Sequence, residues 1–276
     1  MSAEPQVAPE LAPQLAVDPP FTFAFQPIVD SVAQQVIGWE ALIRGPWGEP
    51  AWQVFNQVSA PNLHLFDQTA RISAVTLAGR LGIDGPLHLN LLPQSLDSYP
   101  KSILATIEAA QQAGLRANRI VLEVPEVSIV NDRAHFAVLI KDARALGVRL
   151  AIDDFGATFA SLTLLDDLEP DQIKLDMRLI RGVDRGGSRQ AILRAIRRAC
   201  YDLKIDVIAE GVETLAEYQF LAGQRVRLFQ GYLFAKPAFE AFPPVHFPET
   251  PSAEATKPPA RATTSRPAAS RPKKRA

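Results

Sequence analysis

Short apolar runs recur along this chain, and seven of them end in a carboxylate or an amide. The runs are Val36-Ile37-Gly38-Trp39, Leu87-His88-Leu89, Ile120-Val121-Leu122, Val148-Arg149-Leu150-Ala151-Ile152, Gln172-Ile173-Lys174-Leu175, Val207-Ile208-Ala209 and Arg227-Leu228-Phe229. They end at Glu40, Asn90, Glu123, Asp153–Asp154, Asp176 (with Lys174 two residues before it), Glu210 and Gln230. Runs of this length read as buried strands. Helical spacing fills most of the gaps between them. Phe66, Ala70, Ala74, Leu77 and Leu81 form one stripe; Leu104, Ile107 and Gln111 form a second, with Gly114 as its stop. Asn131 is expected to cap a helix with Phe136, Leu139, Ile140, Ala143 and Leu146 inward, ending at Gly147. Ser188 is expected to cap another, with Ile192, Ile196, Ala199 and Leu203 inward and Arg194, Arg197 and Arg198 on the solvated face. Alternating strands and helices predict an α/β fold, a TIM-like (β/α)8 barrel.

The polar ends carry the chemistry. Strands that each deliver an acid or amide to one end of a parallel barrel build a bowl there. So many carboxylates cannot stay ionised together unless cations neutralise them, which points to divalent metal. An all-oxygen set suits Mg²⁺ or Mn²⁺, and two ions roughly 3.5–4 Å apart suit phosphodiester hydrolysis. The four histidines, His64, His88, His135 and His246, are scattered singly and suggest no structural zinc. His88 should face the barrel interior one layer below Asn90, as a hydrogen-bonded core residue. The adjacent pair Asp153–Asp154 fits a strand end, where a turn lets neighbouring side chains converge.

Glu40-Ala41-Leu42-Ile43-Arg44, Asp153-Asp154-Phe155-Gly156, Lys174-Leu175-Asp176, Glu210-Gly211-Val212-Glu213 and Gln230-Gly231-Tyr232 stand in one order between about Phe21 and Phe242. In these motifs the chain resembles the EAL-domain family of bacterial cyclic di-GMP phosphodiesterases. It is most similar to the shorter EAL domains fused to blue-light sensors, although no sensor domain is expected ahead of it. The resemblance implies a barrel whose first strand, Phe23-Ala24-Phe25-Gln26, runs against the others. It implies that Glu40, Asn90, Glu123 and Asp153 hold one metal, and that Asp153 bridges to a second, also held by Asp154. Glu210 completes the bowl. Lys174, with Glu210 and Glu40, would serve catalysis by positioning water or stabilising charge on the phosphate. Gln26, Leu42, Arg44, Asp176 and Gln230 would bind the dinucleotide, and Glu126 and Thr158 would support the loop after Asp154. That loop would also carry a homodimer contact.

Three positions depart from the family: Leu92 where serine is favoured, Pro125 in place of threonine, and Thr158 in place of glycine. Two readings therefore stand. One is a phosphodiesterase that opens cyclic di-GMP to linear 5′-phosphorylated diguanylate. The other is a receptor that binds the dinucleotide with little or no turnover and signals to a protein partner. A barrel lyase or isomerase with one Mg²⁺ accounts for the acids but not for Gln26-Pro27, Arg44 or Gln230-Gly231-Tyr232.

With 276 residues and 47% hydrophobic content, the chain can bury one large core. No apolar run is long enough to span a bilayer, and no signal peptide is expected at Met1-Ser2-Ala3-Glu4-Pro5. The single cysteine, Cys200, reads as a small packed residue, consistent with a cytoplasmic location. The net charge of −1 hides seven Lys or Arg and no acid in Lys257–Ala276, leaving −8 on the rest. The expected division is a disordered segment 1–20, a barrel domain 21–247, and a disordered basic tail 248–276. The tail reads as solubilising, with a weaker reading as a contact for a partner, nucleic acid or acidic membrane surface.

Overall fold

The short apolar runs form strands, and the strands close into a barrel. The computed structural model describes residues 19–92, 101–131, 133–157 and 162–248. Its strands are β1 (Thr22–Asp30), β2 (Gln35–Arg44), β3 (Leu87–Asn90), β4 (Ile120–Pro125), β5 (Arg149–Phe155), β6 (Gln172–Leu175), β7 (Asp206–Ala209), β8 (Leu228–Phe229) and a short β9 (Ala238–Phe239). The helices are α1 (Ala51–Phe55), α2 (Leu63–Arg80), α3 (Lys101–Gln112), α4 (Glu126–Asn131), α5 (Arg133–Ala145), α6 (Thr163–Leu168), α7 (Met177–Ile180), α8 (Ser188–Leu203) and α9 (Leu215–Gly223).

Strands β2 to β8 pair in parallel, each with the next. β1 runs antiparallel to both β2 and β8 and closes the ring, as the family resemblance implies. Because β1 and β2 form a hairpin, no helix lies between them to cover their outer faces. The chain after β9 does this instead: the Phe242 ring packs on Trp39 and Phe25 at centroid distances of 4.5 and 5.0 Å. Phe234 joins the cover through Phe247 and Phe229. Inside the barrel, His88 is buried over Gly38, where a β-carbon would meet its Nε2 at 3.3 Å.

Several local expectations change. β2 continues to Arg44, so Glu40 lies within the strand and not at its end. The cause is β1, whose long antiparallel pairing carries the ladder through Ala41-Leu42-Ile43 to Thr22↔Arg44. Ser188 opens α8 but does not cap it; Gly187 holds that position. The inner face of α8 is Leu193, Ile196 and Cys200, while Ile192 and Leu203 are exposed. On α3 the buried face includes Ser102, Ile103, Thr106, Ile107 and Ala110, and Leu104 faces out. Asn131 ends α4 instead of opening the next helix. Gly114 and Gly147 do follow their helices with positive φ, as stops should. Residues 1–18, Thr158 and the tail from 249 lie outside the described residues, as do the side chains of Asn131 and Leu139. Among the described residues, no helix is long and apolar enough to cross a membrane.

Candidate active site

The carboxylate end of the barrel is organised around one lysine. Lys174 projects inward from β6 and is 1% exposed. Its Nζ lies 2.6 Å from Glu210 Oε1, 2.8 Å from Glu123 Oε2, 3.2 Å from Glu40 Oε2 and 3.5 Å from Asp153 Oδ1. Burial works against its charge, but the carboxylates of Asp153, Glu123, Glu210 and Glu40 outweigh burial and hold the ammonium well above the usual lysine range. Burial pushes Glu123 and Glu210 well above the carboxylate range despite Lys174, and their acidic neighbours push them further. Glu40 goes the other way. Burial raises it, but Lys174, Gln230 and Asn90 together pull it below its ordinary value. One ammonium cannot neutralise four carboxylates, so the ring either takes up protons or takes a further cation.

His88 bears out its expected role. Burial, with Lys174 and Arg149 behind it, keeps the imidazole neutral well below the usual histidine range. Its Nδ1 lies 2.8 Å from Glu123 Oε1. Both oxygens of Glu123 are thus engaged, one by Lys174 and one by His88.

Asp153 and Asp154 converge because β5 is broken between them and its neighbour. Asp154 has φ of 53°, in the left-handed region that non-glycine residues seldom occupy, and the β5–β6 register shifts between Ile152 and Phe155. Asp153, Asp154 and Glu210 consequently offer oxygens within 4.8 Å of one another. Asp153 Oδ1 is buried and accepts no hydrogen bond. Burial, then the charges of Asp153 and Asp176, raise Asp154 to about 6. Glu126 is buried, and its Oε2 accepts from Gly156 N–H at 3.1 Å.

A chain of amides links the other wall. Gln230 Nε2 donates to Glu40 Oε2 at 2.6 Å and to Gln26 Oε1 at 3.2 Å, and Gln26 Nε2 donates to Ala235 O at 3.1 Å. Asn90 Nδ2 reaches Glu40 Oε1 at 3.4 Å. Gly231 fixes this arrangement: a β-carbon there would run into the backbone of Val212, whose N–H donates to Gln230 O at 3.2 Å.

A cleft of about 250 Å³ opens over the site, between Gln26, Glu40, Asp153, Asp154, Lys174, Glu210 and Gln230. Leu42 and Arg44 share the inward-facing side of β2 with Glu40 but lie outside that lining. Arg44 Nη1 donates to Ile43 O at 2.8 Å. Asp176 also lies outside it: its carboxylate caps α7 by accepting from Arg178 N–H at 2.6 Å. Glu213 pairs with Arg181, while Thr214 and Glu217 form the capping box of α9. Sequence reasoning missed Met177, which lines the cleft; its position directly after Asp176 was the available signal.

The site is thus a closed barrel with an antiparallel first strand that carries an acid ring around one buried lysine at its carboxylate end. The EAL domain family matches residues 13–237, and the chain belongs to that family. The chain is 35% identical over 228 residues to the blue light- and temperature-regulated antirepressor BluF of Escherichia coli, covering 82% of this chain and 57% of BluF. It superposes on the Klebsiella pneumoniae BlrP1 manganese/cyclic di-GMP complex with a TM-score of 0.78 at 39% identity, covering 84% of this chain and 59% of BlrP1. A standalone EAL protein of Vibrio cholerae, solved with cyclic di-GMP bound, gives 0.80 at 39% identity, covering 84% of this chain and 98% of that one. The chain thus spans less than two thirds of BluF and BlrP1.

Proposed function

We propose that this chain is a cytoplasmic, metal-dependent phosphodiesterase that hydrolyses cyclic di-GMP to linear 5′-phosphorylated diguanylate. The observation that carries this reading is the ring of four carboxylates around Lys174, beside the Asp153–Asp154–Glu210 group. The donor set fits Mg²⁺ or Mn²⁺: it is all oxygen, it carries more negative charge than one lysine balances, and Asp153 Oδ1 is buried with no hydrogen bond. Asp153, Asp154 and Glu210 would hold metal, with Glu40, Asn90 and Glu123 completing the set. Bound divalent ions supply an activated water and neutralise the phosphoryl oxygens.

The chain's own residues do the rest. Lys174, kept charged by its neighbours, faces the position where negative charge develops on the phosphorus oxygens. Water adds to phosphorus, the bond to the 3′ oxygen breaks, and the new 3′ hydroxyl takes a proton; the phosphate stays on the 5′ side. Gln230 and Asn90 hold Glu40 in place. Arg44 and Leu42, further along the same face of β2, suit the guanine and phosphate ends of an extended dinucleotide.

A second reading is favoured by one observation: both oxygens of Glu123 are occupied, by Lys174 and His88. A site locked in that state would bind the dinucleotide without turnover, and likeness to an antirepressor fits signalling through a protein partner. Incubating pure protein with cyclic di-GMP and Mg²⁺ or Mn²⁺, and reading product and bound nucleotide together, separates the two. Linear product that vanishes in Glu40→Ala and Asp153→Ala, both still folded, supports the enzyme. Bound nucleotide without product leaves the receptor.

A further inference from the structure

The helical layer between α2 and α3 buries a charged pair that the site above does not use. Asp67 and Arg71 lie one turn apart on α2, at 4% and 2% exposure, with Arg71 Nη1 on Asp67 Oδ2. The guanidinium also donates to Ser102 Oγ at 2.8 Å and to Thr106 Oγ1 at 3.4 Å, both buried on α3. Thr106 in turn donates to Ser102 O at 3.0 Å. The second oxygen of Asp67 reaches out of this layer toward the barrel, where Oδ1 accepts from Leu92 N–H at 3.2 Å.

Leu92 lies two residues after Asn90. The residue between them, Leu91, donates its N–H to Glu123 O at 2.9 Å. The segment leaving Asn90 is therefore held at two consecutive amides, Leu91 by β4 and Leu92 by the helical layer. A buried ion pair is weak evidence for stability, because apolar residues of similar volume usually serve as well. Its place here is better explained by what it positions. Arg71 locks the carboxylate through a planar fork shared with α3, and the carboxylate fixes the strand exit. At the far end of that exit, Asn90 spends its NH₂ on Glu40, so its carbonyl oxygen is the atom left to offer a cation.

We propose that Asp67 and Arg71 are positioning residues for the metal site, holding Leu91–Leu92 after β3 so that the Asn90 amide stays on Glu40. This rests on the metal-dependent reading above. Asp67→Ala alone would strand a buried guanidinium and risks unfolding, so the test uses paired replacements. Asp67→Leu/Arg71→Met removes the charges and the grip on Leu92 while keeping the volume apolar. Asp67→Asn/Arg71→Met removes the charges but keeps an oxygen for Leu92 N–H. Mn²⁺ binding is measured by calorimetry, hydrolysis is followed across a Mg²⁺ titration, and melting is recorded in EDTA.

The Leu/Met variant is expected to melt close to wild type, to bind Mn²⁺ about 10-fold or more weakly, and to recover turnover at saturating metal. The Asn/Met variant should regain most of the lost affinity, which a merely structural pair would not produce. Wild-type Mn²⁺ affinity in the Leu/Met variant, or equal weakness in both variants, overturns the proposal. Wild-type protein that binds no Mn²⁺ overturns the metal-dependent reading itself, and this inference with it.

Discussion

Replacing Lys174 with methionine tests the charge balance of the site without requiring catalysis. Met keeps an unbranched stem in a position that is 1% exposed, but deletes the ammonium that four carboxylates share. Breaking a buried ion pair by removing one partner costs about 3–5 kcal/mol. The loss stays near that range because Glu123 and Glu210, already well above the ordinary carboxylate range, take up protons instead of remaining charged. At about 2–4 °C per kcal/mol, metal-free melting should fall by roughly 6–20 °C. Carboxyls with raised values contribute stability that is complete below their unfolded value of 4.5 and is lost as pH rises through their folded values. Without Lys174 those folded values climb further, so the gap to wild type should be wide at pH 8 and narrow at pH 5. Mn²⁺ at about 100 times its dissociation constant should return about 2.7 kcal/mol to any form that binds it. Melting in EDTA at the two pH values, repeated with Mn²⁺, reads all three effects. A variant that melts within about 2 °C of wild type in EDTA at pH 8 would refute the charge-ring account.

Gly231→Ala should cost about 1–3 kcal/mol, because the new methyl group meets the Val212 backbone and the turn must move. The same movement pulls Gln230 off Glu40 and Gln26, so hydrolysis should fall at least about 10-fold; unchanged melting and rate together would contradict this. Asp154, raised to about 6, should make metal binding pH-dependent: below that value it is protonated and a poorer ligand, so half-saturating metal should rise as pH falls from 7 to 5. Asp154→Asn should bind metal more weakly at pH 7 and flatten that limb, and an identical pH profile in the variant would remove Asp154 from the site. For folding without metal the sign is opposite, since the contribution of a raised Asp154 is present below 3.8 and lost as pH rises through about 6.

Most of the barrel was legible because buried strands must be short, apolar and bounded by polar residues. The end of β2 was not, since Ala41, Leu42 and Ile43 stay apolar past Glu40 and pairing with β1, far stronger than any local signal, extends the ladder. On α8, Ile192 and Leu193 both satisfy helical spacing with Ile196, and only the packing partner chooses Leu193. Asp153 and Asp154 were read as a site pair, and the positive φ of Asp154 supplies the geometry that makes neighbours converge. The Asp67–Arg71 pair escaped notice. Its i,i+4 spacing was visible, but spacing alone does not distinguish a buried pair from a solvated one.

The antiparallel first strand is what makes the remote polar contacts possible. Gln26 and Glu40 are register partners across the β1–β2 hairpin, and β8 brings Gln230 to both from the opposite edge of the sequence. A barrel closed by a parallel strand would present different residues of β1 at the height of Glu40. Closure therefore fixes the amide wall, and the amide wall lowers Glu40 while its partners Glu123 and Glu210 rise. Acids with opposed tendencies surround one lysine: Glu40 is held toward its charged form, whereas Glu123 and Glu210 are pushed toward their protonated forms, and a bound cation would favour their ionised forms. The buried pair between α2 and α3 acts on the same wall from behind, through Leu92 and Asn90. If that grip fails, the contact from Asn90 to Glu40 should weaken, and with it one of the groups that lowers Glu40.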